Sequence, residues 1–235
     1  AELVAMLPIK PFTVTKAARS WKMDEAGAHR ILDALAGRAI LMDVQDPQGR
    51  QLDALPPPMA GFFEFSMMRF RRDIDQKVLA ELFYEYLNVE EDFIRTLFTD
   101  GETQLGRVFV HEPVLSNGDA LSVLDYERAS HVIDSTNHIG VGVCYCRHKM
   151  HHKGLACDAP MDICMTFGTT VRKGVGKSEA QELLHLAYEE NLVQFGENVQ
   201  KRVAFICHCC GCCCEAMTAA RKYASLQPVH TTNFL

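Results

Sequence analysis

The chain has 235 residues, a formal net charge of −6 and 48% hydrophobic residues. That balance supports one large or two small globular domains and excludes a disordered chain. The acidic charge argues against non-specific attraction to nucleic acid or anionic lipid, and no apolar run approaches the ~20 residues that span a bilayer.

In chain order, the opening AELVAMLPIKPF lacks a basic segment followed by a long apolar stretch, so no secretory leader is expected. The absence of an initiator Met suggests a start inside a longer gene product. TVTKAARSW reads as a short helix opened by Thr13 or Thr15. Asp24 is placed to cap a second helix, in which Ala28, Ile31, Leu32 and Leu35 recur at helical spacing and Gly37 closes it. AILMDV and RQLDAL flank the turn DPQG as a hairpin. Helix, helix, hairpin is the order of a winged helix-turn-helix, predicted for 1–60. PPPMAG at 56–61 marks the boundary.

Residues 61–136 are expected to be a mostly helical linker region. FFEFSMMRF suggests a core or interface strand, DIDQKVLAELFYEYLN and VEEDFIRTLF suggest helices, LGRVFVH a strand and YERASHVIDST a helix. Residues 137–235 form the cysteine-rich part. GVGVCYC reads as a strand. DAPMDICMTFG, with Asp158 as cap and Pro160 in a first turn, places Cys164 early in a short helix. The passage from TFGTT to RKGVGK suggests a break in order. SEAQELLHLAYEENL is an amphipathic helix, LVQFGENVQKRVAFIC a hairpin, and CCCEAMTAARKYASL a further helix. The expected class is α+β: a winged-helix-like unit followed by a mixed domain of helices and short strands.

All ten cysteines lie at or beyond residue 144. Such clustering points to metal binding in a reducing, cytoplasmic compartment rather than to a disulfide scaffold, and dense thiols suggest an anaerobic setting. In a strand, Cys144 and Cys146 share one face, and so do Cys207 and Cys209. On a helix after Gly211, Cys210, Cys213 and Cys214 share one side. Cys207, Cys210 and Cys213 also spell C-x2-C-x2-C, the run that wraps a [4Fe–4S] cube. The arithmetic suits two such clusters. One takes Cys144, Cys146, Cys157 and Cys164. The other draws on Cys207, Cys209, Cys210 and Cys213, with Cys214 as an additional ligand and Cys212 as the spare. Arg147 and His148 are expected in the cluster environment, where cations stabilise an anionic centre. Zinc is the competing reading, with His148, His151, His152 and His208 as nitrogen donors, but neither C-x-C-x10-C nor CxCCxCCC follows the usual pairing of zinc ligands. Cu(I) is a second alternative for contiguous thiols.

GVCYCRHKMHHKGLACDAPMDICMTFG, LVQFGENVQ and FICHCCGCCCEAM together resemble a family of bacterial iron–sulfur proteins in which a winged-helix-like region precedes a cysteine-rich core. The resemblance covers essentially the whole chain and is most specific over 143–168 and 191–214. It implies [4Fe–4S] binding and a ferredoxin-type label with loosely defined reactions. Many such proteins continue past a segment like HTTNFL into a ferredoxin domain bearing C-x2-C-x2-C-x3-C-P, whereas this chain stops at Leu235.

The functional expectation is an electron-transfer protein or redox-enzyme subunit that passes electrons to a protein partner or a ferredoxin domain. Two alternatives stand beside it: a redox-sensing transcription regulator, and an enzyme with one unusual catalytic cluster. Asp24, Glu25 and Asp33 on the second helix speak against DNA reading, since that helix would enter the groove. GVGKS at 174–178 lacks the glycine a phosphate loop needs at 171, which is Val171 here, and reads as a flexible turn.

Overall fold

The computed structural model describes residues 2–38, 40–46, 48, 50–56, 64–99, 105–116, 123–167 and 173–223. It is an α+β protein. The N-terminal elements are α1 (Glu2–Ala5), α2 (Val14–Trp21), α3 (Glu25–Gly37), β1 (Met42–Gln45) and β2 (Gln51–Ala54). Both predicted caps form. Thr13 Oγ1 accepts the Lys16 N–H at 3.3 Å and Asp24 Oδ1 accepts the Gly27 N–H at 2.7 Å, satisfying donors that a helix start leaves free. The β1–β2 hairpin pairs antiparallel with Met42 opposite Ala54, and Phe12 bridges Asp53 from outside it. Phe12, Ala17, Trp21, Ala28, Leu32 and Leu41 close a core beneath the two helices.

The next elements are α4 (Glu64–Met67), α5 (Gln76–Tyr84), a π-helical turn (Glu85–Val89) and α6 (Asp92–Thr99). The described part of FFEFSMMRF is therefore helical rather than a strand: the Met68 N–H bonds the Glu64 carbonyl at 2.8 Å. Most of PPPMAG and all of HTTNFL lie outside the described residues, as do residues 168–172 between TFG and KGV.

From β3 (Gly106–Val108) onward, the chain alternates: α7 (Ala129–Ser135), β4 (Ile139–Val143), α8 (Tyr145–His152), β5 (Asp162–Phe167), β6 (Lys173–Val175), α9 (Lys177–Glu189), β7 (Val193–Glu197), β8 (Phe205–Cys209) and α10 (Glu215–Lys222). Six strands form one antiparallel sheet in the order β3-β7-β8-β5-β4-β6. The expected β7–β8 hairpin forms its second and third strands, with Phe195 opposite Cys207 and Gly196 opposite Ile206. Gly196 is required there, because a Cβ would lie 2.7 Å from the Phe205 carbonyl oxygen. The β3 strand belongs to the stretch expected to be a separate linker region, yet it forms one end of this sheet against β7.

The period of two gives the sheet two chemically different faces. One carries Ile139, Val141, Met165, Phe167 and Ile206, packed against Val132 and Ile133 of α7 and Ala180 and Leu184 of α9. The other carries Cys164 and Cys207, and Met67, Ala80, Phe83, Leu87 and Ala219 of the surrounding helices cluster with the thiols. Hydrocarbon fills one side and sulfur occupies the other.

Candidate metal centre

The thiols reach the site by routes that differ from the sequence expectation. β4 ends at Val143, and Cys144 is the N-cap of α8 with φ −63° and ψ 108°. Its N–H bonds the Met161 carbonyl at 2.8 Å. Cys146 follows in the first turn of α8, so cap geometry rather than a shared strand face sets these two thiols together. Cys164 is not in a helix. It lies in the middle of β5, where β-branched Ile163 and Thr166 favour an extended chain paired on both sides, by β4 and by β8. Cys207 and Cys209 lie on β8 as expected. Beyond Cys209 the chain turns rather than coiling: Gly211, Cys212 and Cys213 form the turn and Cys214 is the N-cap of α10. No helical face gathers Cys210, Cys213 and Cys214.

Two thiol groups result. The first contains six. Cys207 touches Cys164, Cys164 touches Cys144, Cys144 touches Cys146, Cys146 touches Cys214, and Cys214 lies 3.1 Å (Sγ–Sγ) from Cys209. Cys207 and Cys209, the two ends of the series, share one face of β8, so the six form a ring that stays open between them. Five of the six are buried and Cys207 is half-buried. The second group is Cys157, Cys210, Cys212 and Cys213, whose sulfurs all lie within 4.8 Å of one another. Cys212 and Cys213 are 3.6 Å apart, and Cys213 and Cys157 are 3.9 Å apart. This group could hold a metal ion.

Cys157 therefore parts from Cys144, Cys146 and Cys164, the set to which sequence order had assigned it. The cause is local. Gly154 adopts φ +69° and closes α8, with the Leu155 N–H on the Met150 carbonyl at 2.9 Å. The reversed chain carries Cys157 to the 210–213 turn. Cys212, expected to be the spare, joins it there, since that expectation presumed a helix that does not form.

Arg147, the third residue of α8, is fully buried and acts on both groups: its guanidinium interacts with Cys144 and Cys164 on one side and Cys210 on the other. Its Nη2 donates to the His208 carbonyl at 3.1 Å. Hydrogen bonds from Cys146 and Cys164, with the Arg147 charge behind them, hold the Cys144 thiol well below the usual range. In the second group a hydrogen bond from Cys213 draws Cys210 down to about 4. Each group thus presents one ready thiolate beside the same buried cation. His208 is buried on β8, and neither ring nitrogen has a hydrogen-bond partner among the described residues. Burial and the Arg147 charge push it down to about 3, so its ring is neutral.

A second buried network fastens the two helices that deliver the six-thiol ring. Lys149 of α8 pairs with Glu215, the first residue of α10, and also bonds Asn88. The Asn88 amide in turn donates to Glu215 at 2.8 Å. Lys149 and Glu215 are both buried. The pair brings two helix starts, each capped by a cysteine, against one group of thiols, where their free N–H groups and dipoles favour negative sulfur. Sequence reading missed this pair, because it placed no helix over residues 145–152.

His148 has a different task. Its Nδ1 donates to the Met67 carbonyl at 2.7 Å, which leaves Nε2 to accept from His152 Nε2 at 3.2 Å. It ties α8 to α4 beside the ring. GVGKS is not a free turn: Val175 ends β6, Gly176 caps α9, and the Lys177 ammonium bonds the Asp134 carbonyl.

Compared with known protein families, curated proteins and solved structures, the chain matches none. Among the described residues no helix is long and apolar enough to cross a membrane.

Proposed function

We propose that this protein is an iron–sulfur electron carrier, or the carrier subunit of a redox enzyme, with two adjacent thiolate-ligated centres that exchange electrons with a protein partner. One observation carries the reading: all ten cysteines fall into two neighbouring groups that share a single buried cation, Arg147. Thiolates are soft ligands that suit iron–sulfur cores, and the sulfur ring exceeds the four ligands of a structural zinc site. Neighbouring thiolate centres suit electron passage, and a buried guanidinium supports the negative charge that a reduced centre adds. Cys144, Cys146, Cys164, Cys207, Cys209 and Cys214 would hold one centre and Cys157, Cys210, Cys212 and Cys213 the other. Two [4Fe–4S] cubes, the sequence expectation, are one form that this reading can take.

Anaerobic purification followed by iron, zinc and acid-labile sulfide analysis tests the proposal. EPR of the dithionite-reduced protein should show a low-temperature iron–sulfur signal. Zinc without labile sulfide would refute it.

A further inference from the structure

We infer that Cys157, Cys210, Cys212 and Cys213 bind one tetrahedral metal ion, iron or zinc, through four thiolates and without sulfide, and that this ion staples the chain reversal at Gly154 to the turn between β8 and α10. The iron form rests on the iron–sulfur reading above; the ligand set does not.

Metal–thiolate bonds of about 2.3 Å at a tetrahedral centre put neighbouring sulfurs about 3.8 Å apart. Cys212 and Cys213 are 3.6 Å apart, Cys213 and Cys157 are 3.9 Å apart, and all four sulfurs lie within 4.8 Å of one another. Two edges of the tetrahedron are thus already at bonding length, and the longest has to close by no more than about 1 Å. A cube would hold its ligands farther apart, because its own irons and sulfides fill the middle. The Cys209–Cys214 pair, at 3.1 Å, is shorter than the tetrahedral edge, and the six-thiol ring is no part of this site.

The chain delivers the four donors in a way that suits one ion. Cys210-x2-Cys213 has the C-x2-C spacing common among single-ion thiolate sites, a pairing masked in the sequence by Cys209, Cys212 and Cys214 around it. Because β8 stops at Cys209 and α10 starts at Glu215, that spacing falls on a turn, which lets both sulfurs face one point. The Cys213 N–H donates to the Cys210 sulfur and the Cys157 N–H to the Cys213 sulfur, bonds that favour thiolate. Cys157 arrives from 56 residues away, so the ion cross-links distant parts of the chain. Four thiolates around a divalent ion leave an excess of negative charge. The buried Arg147 guanidinium, which interacts with Cys210, offsets part of it. Cys212 is exposed, so an ion enters from the rim without opening the sheet.

Cobalt(II) titration of the full chain, reduced and stripped of metal under anaerobic conditions, tests the site through the strong visible absorption of tetrahedral cobalt thiolates. Wild type is expected to take up one equivalent more than Cys157→Ser or Cys212→Ser, whereas Cys144→Ser keeps that equivalent. Equal uptake by wild type, Cys157→Ser and Cys212→Ser would overturn the inference. Metal and acid-labile sulfide counts on chains purified anaerobically check the same point without stripping. Cys212→Ser, altered at an exposed side chain, should lose one iron or one zinc ion and no sulfide. Either ion supports the site: iron makes it a one-electron centre, and zinc makes it a structural staple. Loss of about four irons with about four sulfides from Cys212→Ser would overturn the inference and leave the iron–sulfur reading standing. Wild type that binds the extra cobalt equivalent but carries neither iron nor sulfide as purified would support the site and remove the iron–sulfur reading.

Discussion

The two thiol groups differ in what holds them. The ring is fixed by a strand pair and by two helices that a buried ion pair clamps together, whereas the group of four hangs mainly on the turn after β8 and on the reversal at Gly154. Five of the ring thiols are closed to solvent, while Cys212 of the smaller group is exposed and Cys157 and Cys210 are half-buried. The contrast teaches that one dense cysteine run can supply thiols to an interior group and to a rim group together, because β8 ends between them.

Breaking the clamp should have the largest effect. Glu215→Ala strands the Lys149 ammonium in the interior and should cost about 3–5 kcal/mol in denaturant unfolding of the metal-free protein. The Lys149→Met, Glu215→Leu pair should recover most of that loss. Equal losses from the double and single variants would show that the ring does not depend on the clamp.

Asp53, on β2 of the N-terminal hairpin, supplies a control outside both groups. Burial, then Asp43 and Asp33, push its carboxyl up to about 6. A carboxylate with a raised folded-state value favours the fold only while protonated. That contribution is present below the ordinary value near 4 and is lost as pH rises toward 6. Asp53→Asn should thus stabilise the protein by about 1–2 kcal/mol at pH 7.5, after discounting for solvent screening, and by almost nothing at pH 3.5. Thermal unfolding at the two values checks it, and metal content should stay unchanged if loading depends on the sites rather than on overall stability.

Thiol labelling sharpens the rim-versus-interior contrast. In metal-free protein at pH 6, iodoacetamide should modify Cys210 more than tenfold faster than the buried Cys144 or Cys164, as read by peptide mapping. The Cys210 rate should fall only as pH drops toward its value of about 4. Uniform rates would dissolve the distinction. The smallest effect belongs to Gly154→Ala. A Cβ meets nothing within 4 Å there, so only the left-handed backbone is strained, at about 1 kcal/mol. The smaller group should lose metal affinity while the ring does not.

Much of the local structure was legible in the residues. Thr13 and Asp24 announced their helices, alternation announced β7 and β8, and Cys207-x-Cys209 announced a shared strand face. The errors share one origin. Cys164 was assigned to a helix from a nearby Asp and Pro, and the 210–214 run was assigned to a helix from its spacing of three and four. Both signals were local and weak, and strand pairing with β4 and β8 overrode the first.

The sequence by itself determined that this is an α+β chain with all ten thiols beyond residue 143 and Arg147 among them. Only the tertiary structure decided which thiols meet. β5 lies beside β8 although some 40 residues separate them, so Cys164 reaches Cys207, and the Gly154 reversal sends Cys157 to the opposite group. Spacing along a chain fixes neighbours on one strand or one helix. Partners across a sheet follow from which strands pair, and that is set by burial over the whole fold.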